Sequence, residues 1–283
     1  MELLDAAEKL TALGHPGRLS VFRLLARRAP QHVRPSDISA ALDIKRNTLS
    51  GYLSTLEDAG IVQSRRDGTS IYYSIDTDET TAFTQFLLAD CCRGRPEICA
   101  PMTRETSYTS RALSVLFICS GNSARSLMAE VLLRDAAPGR FVTYSAGTQP
   151  ATGGPNPYVL ELLQRSGHDI TGLASKPVTQ MQAPDAPIFD FVFTVCDDAA
   201  NEECPSWPGQ PMSAHWGLPD PARATGTQAE IALAFAQAYN TLNQRISAFA
   251  ALPFATLDQL SLQLRIDDIG LSRSTDRPPQ KAP

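Results

Sequence analysis

Over the first hundred residues, apolar positions recur mainly at helical spacing. Leu3 to Leu13 carries an apolar stripe that Gly14-His15-Pro16 interrupts, and Leu19, Phe22, Leu24 and Leu25 mark a second helix. Pro35-Ser36-Asp37 opens a third that ends near Leu42, and a short turn through Asp43-Ile44-Lys45 leads to a fourth, Asn47 to Ala59, stopped by Gly60. Two strand-like runs, Ile61 to Arg66 and Thr69 to Ile75, flank Asp67-Gly68, a tight hairpin dipeptide. A last helix spans about Asp78 to Asp90. Paired helices around a tight turn, followed by a hairpin, predict a mainly-α winged helix-turn-helix.

Further along, the period changes. Ser114 to Ile118 reads as a short buried strand, Ser123 to Ala136 as a helix, Phe141 to Ser145 as a strand and Asn156 to Ser166 as a helix. Phe189 to Val195 and Met212 to Trp216 supply two more strands, Ala229 to Ala250 a long helix, and residues 256–270 a short amphipathic segment packed on the sheet or on a dimer mate. Strand–helix alternation predicts a four-stranded parallel sheet covered on both faces. Between the two textures, residues 101–111 are polar and without apolar period, which reads as a linker; Ser272 to Pro283 reads as a disordered tail. The expected organisation is therefore 1–100, a helical domain; 101–111, a linker; 112–271, an α/β domain; and 272–283, a tail.

Composition adds limits. A chain of 283 residues exceeds an average domain of roughly 100–200 residues. With 43% hydrophobic and 19% charged residues it is ordinary globular sequence. No apolar run is long enough for a membrane span, and the opening Met1-Glu2-Leu3-Leu4-Asp5 lacks the basic start of a signal peptide, so the expectation is a cytoplasmic protein. A net charge of −5 argues against non-specific coating of nucleic acid, while leaving room for a local basic face. The six cysteines are expected as thiols in such a setting, and they fall in two sets, Cys91, Cys92 and Cys99, then Cys119, Cys196 and Cys204.

The second helix of the predicted helix-turn-helix presents Asn47, Thr48, Ser50, Gly51, Tyr52 and Ser54 on its polar face. Lys45 and Arg46 at its start and Arg65 and Arg66 on the wing stand where phosphate contacts fall. In the α/β part, Cys119-Ser120-Gly121-Asn122-Ser123-Ala124-Arg125-Ser126 lies between a strand and a helix. A Cys-x5-Arg loop there turns successive N–H groups inward at a helix N-terminus and makes a cradle for a tetrahedral oxyanion. Arg125 suits two oxygens as a planar fork, the same field favours a nucleophilic thiolate at Cys119, and Ser126 is placed to donate to it.

The N-terminal stretch resembles the ArsR-type winged-helix metalloregulators through Ala12 to Leu19 and Asn47 to Val62. That resemblance implies a homodimer through this domain that represses an operator until an inducer binds. It lacks the cysteine pair that the best-known arsenic sensors carry on the helix before the recognition helix. Cys91, Cys92 and Cys99 form the alternative cluster, and the resemblance implies arsenite as inducer, three thiolates suiting trivalent arsenic. Zinc would want a fourth donor. His15 and His32 read as structural.

From Ser114 to about Ala250 the chain resembles the low-molecular-weight tyrosine phosphatases and the arsenate reductases built on their flavodoxin-like fold, through the loop, Ser145-Ala146-Gly147 and Asp220-Pro221. The resemblance implies that Asp220 is the general acid. A phosphatase needs one cysteine; a reductase must supply two electrons and needs further thiols in exchange reach. Cys196 ends the third strand and Cys204 follows eight residues later, which looks like the reductase pattern. The resemblance then implies attack by Cys119 on arsenate, a relay through Cys196 and Cys204, no tightly bound cofactor, and thioredoxin, glutaredoxin or a small thiol as reductant. Two alternatives stand beside it: a tyrosine phosphatase carrying a DNA-binding domain, and a regulator whose sheet domain only senses oxyanion or redox state. Trp207, Trp216 and His215 read as core or rim of the pocket, and His168 as surface.

Overall fold

The computed structural model describes residues 1–92, 111–183, 185–202 and 207–272. The chain divides into two compact units, Met1–Glu105 and Thr106–Pro283.

In the first unit, α1 (Leu3–Leu13), α2 (Pro16–Arg28), α3 (Pro35–Leu42), α4 (Arg46–Asp58), the hairpin β1 (Val62–Asp67) and β2 (Ser70–Ile75), and α5 (Thr77–Phe86) follow in order. His15 caps α2 by accepting from the Gly17 amide at 3.1 Å, with Pro16 at the first helical position. Asp43 takes a left-handed φ of 50° to end α3 and turn the chain into α4. Val21, Leu24, Leu25, Ile38, Leu49, Leu53 and Leu56 meet in one core. Lys9 is buried along its stem and donates to the Ala59 carbonyl at the end of α4 at 2.7 Å, with Asp5 at 3.3 Å and Glu79 at 3.2 Å. One cation thus joins α1, α4 and α5 and satisfies a carbonyl at the end of α4.

The hairpin differs from expectation by one residue. Asp67 pairs with Ser70, so the loop residues are Gly68 and Thr69 rather than Asp67 and Gly68. Gly68, at φ 61°, supplies the positive φ that the first loop position of this kind of turn requires. The final helix is also shorter than expected: α5 closes at Phe86 and passes into a single π turn, Leu87–Cys91.

The second unit holds β3 (Leu113–Cys119), α6 (Arg125–Ala136), β4 (Phe141–Gly147), α7 (Pro157–Arg165), β5 (Phe191–Thr194), the short α8 (Asp197–Asn201), β6 (Met212–His215), α9 (Gln228–Ala250) and α10 (Gln259–Leu271). The four strands are parallel, in the order β4-β3-β5-β6. Val115 to Ile118 of β3 are buried, as a central strand covered on both faces requires. Phe117, Phe191, Phe193, Trp216 and Phe249 pack as an aromatic core, Phe193 stacked on Trp216 at 4.2 Å between centroids. From β3 the chain goes first to one neighbour and later to the other, so the order reverses at the carboxyl end of β3. Open α/β sheets bind ligands at such a point, and Cys119 stands there.

The segment expected at 256–270 is α10, and it packs on the sheet: Leu262 and Ile266 are buried, the Trp216 indole donates to the Ile266 carbonyl at 3.0 Å, and Gln263 donates to the Ser213 carbonyl at 3.0 Å. Arg111, expected as the last linker residue, is anchored in this unit. Its guanidinium binds buried Asp190 through two bonds of 2.7 and 2.6 Å, and the same carboxylate accepts from the Ser114 amide. Among the described residues, no helix is long and apolar enough to cross a membrane.

Candidate active site

Residues 119–124 form a loop whose carbonyls all point away from its centre. Cys119 O accepts from Thr148 N, Ser120 O from Gln149 N, Gly121 O from Ala151 N, Asn122 O from the Ser175 hydroxyl, Ser123 O from Asn156 N and Ala124 O from Met128 N, at 2.7–3.1 Å. With each carbonyl held outward, peptide geometry turns the amides inward. The Asn122 amide donates to Cys119 Sγ at 3.2 Å, and those of Gly121, Ser123 and Ala124 donate to no protein acceptor among the described residues. The N-terminus of α6 adds its positive end.

Asn122 makes the loop possible. It adopts φ 44°, is fully buried, and its side-chain amide donates to Ser126 Oγ and Ser145 Oγ, each at 2.8 Å, while its side-chain oxygen accepts from the Lys176 amide at 2.7 Å. Ser126, having accepted from Asn122, has its proton free for Cys119 Sγ at 2.9 Å. The Ser145 hydroxyl in turn donates a hydrogen bond to Glu130, which also meets Lys176 Nζ at 3.3 Å. Gly147 closes the approach: a Cβ there would stand 2.6 Å from Ser120 O and 3.0 Å from Asn122 N. Of this network, Ser145-Ala146-Gly147 was visible in the sequence; Glu130, Ser175 and Lys176 carried no signal there.

Arg125 is buried. One Nη donates to the Leu218 carbonyl at 3.1 Å, the other pairs with Asp220 at 2.8 Å, and Nε has no acceptor among the described residues. Asp220 therefore stands beside the loop, engaged as an ion-pair partner; it also accepts from the Ala222 amide at 3.1 Å, with Arg223 at 3.9 Å.

Cys196, at the end of β5, is buried, and its Sγ accepts from the Ser120 amide at 3.2 Å and the Ala199 amide at 3.4 Å, the latter capping α8. Ser120 Oγ lies 3.4 Å from the same sulfur. Burial pushes the Cys196 thiol up, and neighbouring Cys119 adds to the shift against the bonds from Ser120 and Ala199. Two sulfurs are thus tied to one loop, Cys119 within it and Cys196 on the amide of the next residue. Cys204, with Pro205 and Ser206, lies outside the described residues. Arg223 reaches Asp198 of α8 at 3.1 Å, and Glu202 accepts from Thr148 Oγ at 3.0 Å, so the stretch after Cys196 is tied to both neighbouring loops. Trp216 is core, Trp207 packs edge-on against Phe189, and His215 is buried. His168, read as surface, is half-buried and bound on both ring nitrogens, to Asp135 at 2.6 Å and to the Tyr239 hydroxyl at 2.8 Å.

In the first unit Lys45, Arg46, Asn47, Thr48, Ser50, Arg65 and Arg66 are exposed. Tyr52 is diverted: it packs on His15, ring centroids 5.0 Å apart, in space that only a glycine at position 17 leaves open. Of the cysteine cluster, Cys91 is exposed and free at the end of the π turn. Cys92 is buried and disulfide-bonded, and Cys99 lies outside the described residues. The expectation of six thiols is corrected at Cys92, because a sulfur held in a disulfide offers no thiolate to an ion. Among the described residues no three His, Cys, Asp or Glu side chains group closely enough to hold a metal.

The model of the low molecular weight phosphotyrosine protein phosphatase family matches residues 114–261. The chain belongs to that family. An IclR helix-turn-helix domain matches residues 19–66, on the elements α2 to β1, where the sequence had suggested the ArsR type. An arsenate reductase of Shouchella clausii (strain KSM-K16) is 35% identical over 136 residues, 48% of this chain and 94% of its own length. That of Bacillus subtilis (strain 168) is 35% identical over the same shares. A solved structure of an arsenate reductase in its oxidized state is 25% identical and covers 47% of this chain and 92% of its own, with a TM-score of 0.39.

Proposed function

We propose that the second unit is an arsenate reductase and that the first is an ArsR-type, arsenite-responsive repressor that binds operator DNA as a homodimer. The observation that carries the enzymatic half is Cys196, whose sulfur rests on the Ser120 amide beside the nucleophile loop. Hydrolysis of a phosphocysteine has no use for a second sulfur; a two-electron reduction does. The curated relatives of the same unit, themselves arsenate reductases, support this choice.

The chemistry runs as a thiol relay. Arsenate sits on the inward amides and on Arg125, whose fork exchanges Asp220 for the oxyanion. Cys119 attacks arsenic, forming an S–As bond, and Asp220 in its acid form protonates the departing oxygen, which leaves as water. Cys196 then attacks Cys119 Sγ: the S–S bond forms, the S–As bond breaks, and its electron pair leaves with arsenic as arsenite. Cys204 attacks Cys196 and frees Cys119. An external dithiol such as thioredoxin or glutaredoxin, or a small thiol, reduces the resulting disulfide. On the regulatory side, Lys45, Arg46, Arg65 and Arg66 meet phosphates, Asn47, Thr48 and Ser50 meet base edges, and Cys91, Cys92 and Cys99 hold arsenite once Cys92 is reduced.

The deciding experiment compares arsenate reduction with aryl-phosphate hydrolysis by the full chain, given thioredoxin and its reductase. Sustained arsenite production that stops after one equivalent in Cys204→Ser supports the relay. Fast hydrolysis without arsenate reduction makes the unit a phosphatase. A pH dependence follows as well. Because burial raises the Cys196 thiol, its reactive thiolate grows in only as pH climbs into the alkaline range. Single-turnover formation of the Cys119–Cys196 disulfide should therefore accelerate with pH, continuing beyond the point at which an ordinary thiol is already ionised; a rate flat from neutral pH upward would contradict this.

A further inference from the structure

His215 takes no part in the relay as written, yet it is among the few buried polar residues of the second unit. It ends β6, and both ring nitrogens are engaged: Nδ1 lies 2.8 Å from Thr194 Oγ and Nε2 lies 2.9 Å from Asp197 Oδ1. A carboxylate only accepts, so Nε2–H donates to Asp197, and Nδ1 shares a hydrogen bond with the Thr194 hydroxyl. Thr194 is the last residue of β5 and Asp197 the first of α8, and Cys196 stands between them. One imidazole thus grips the backbone segment on both sides of the second sulfur. The neighbouring chain is shaped around this grip: a Cβ on Gly217 would fall 2.4 Å from His215 Nε2 and 2.6 Å from Asp197 Oδ1.

The grip matters because, beside the backbone bonds of the Ala200 amide to the Cys196 carbonyl at 3.2 Å and of the Val195 amide to the Ile118 carbonyl at 2.8 Å, Cys196 is held at its sulfur by the amides of Ser120 and Ala199. The bonds at the sulfur weaken when it enters a disulfide, whereas the imidazole bonds do not involve it. We propose that His215 is a positioning residue for thiol exchange: clamped between Thr194 and Asp197, it keeps Cys196 aligned for attack on Cys119. The proposal rests on Cys196 being the second thiol of the site.

The test uses the full chain in a Cys204→Ser background, so that the Cys119–Cys196 disulfide accumulates, with two oxidants in parallel. Arsenate is one. Hydrogen peroxide is the other: Cys119 thiolate takes one oxygen as sulfenic acid with loss of hydroxide, and the Cys196 thiol displaces that oxygen as water, so two thiols give two electrons to one peroxide. Disulfide formation is followed by rapid acid quench and mass spectrometry, and the first peroxide step separately by trapping the sulfenic acid with dimedone. Asp197→Ala removes one arm of the clamp at a side chain that is 62% exposed, and His215→Asn removes the imidazole that makes both arms. Both should slow disulfide formation by roughly tenfold to a hundredfold, the range for a displaced reacting group, with the sulfenic acid step unchanged. Asp197→Asn, which still accepts from Nε2–H, should restore the rate. The proposal is overturned if Asp197→Ala forms the disulfide at the parent rate with peroxide, or if Asp197→Asn is as slow as Asp197→Ala. A parent chain that closes the disulfide with peroxide and not with arsenate sinks the reductase reading and leaves the clamp to be judged by the peroxide arm.

Discussion

Cys119→Ser abolishes arsenate reduction by the full chain, a fall of at least about a thousandfold, the scale of losing a covalent nucleophile. A serine oxygen keeps the bonds from the Asn122 amide and Ser126 but carries no accessible anion to attack arsenic, and it leaves no sulfur for Cys196 to attack. Because the variant differs by one atom inside an otherwise intact loop, its melting temperature should stay near that of the native chain. The repressor role proposed for the first unit extends the expectation to DNA. With operator DNA bound, arsenate plus the thiol system should release the native chain and leave Cys119→Ser bound, whereas arsenite should release both. Gel shifts read the four outcomes. Release of Cys119→Ser by arsenate would show that induction does not pass through this sulfur.

Gly147→Ala is the second large effect, and it arises from packing rather than from the loss of a reacting group. The added methyl would lie 2.6 Å from Ser120 O and 3.0 Å from both Asn122 N and Cβ, and two of those three atoms are backbone that cannot swing aside. Either β4 retreats from β3, against the register that pairs Cys119 with Gly147, or the loop moves outward and spreads its amides. A displacement approaching 1 Å at reacting atoms costs about a hundredfold in rate, and overpacking adds about 1–3 kcal/mol of destabilisation. Steady-state kinetics with arsenate should show the loss in both kcat and KM, with thermal unfolding confirming a folded chain. Activity within threefold of native would mean that the loop tolerates the shift.

Both predictions turn on features of different legibility. The Cys-x5-Arg loop could be read directly because its chemistry is local: a strand end, six residues and a helix start suffice to build it. Helix and strand order were legible for the same reason, since apolar periodicity records which face of each segment is buried. The boundaries moved where capping and side-chain bonds decide. The loop delays α6 to Arg125, the hairpin closes on Gly68-Thr69, and α5 stops at Phe86. Tyr52 lay on the polar stripe of its helix and still turned inward, because the space beside Gly17 and His15 comes from another helix.

Residues that meet across long stretches of chain left no such trace. Glu130 and Lys176 are 46 positions apart, Arg111 and Asp190 are 79 apart, and neither pair has a spacing that a sequence pattern could reveal. His215 was a buried histidine near the pocket until the parallel pairing of β5 with β6 set it opposite Thr194. The order of residues in the chain was enough to establish a winged helix-turn-helix, a parallel α/β unit and a Cys-x5-Arg loop at the end of its first strand, because each is written in contiguous periodicity or in a short loop. The tertiary fold alone decided that Cys196 rests on the amide next to Cys119, that Asp220 pairs with Arg125, and that one imidazole spans the second sulfur. Those contacts depend on which strands lie side by side, and burying the faces of the whole sheet at once is what selects that arrangement.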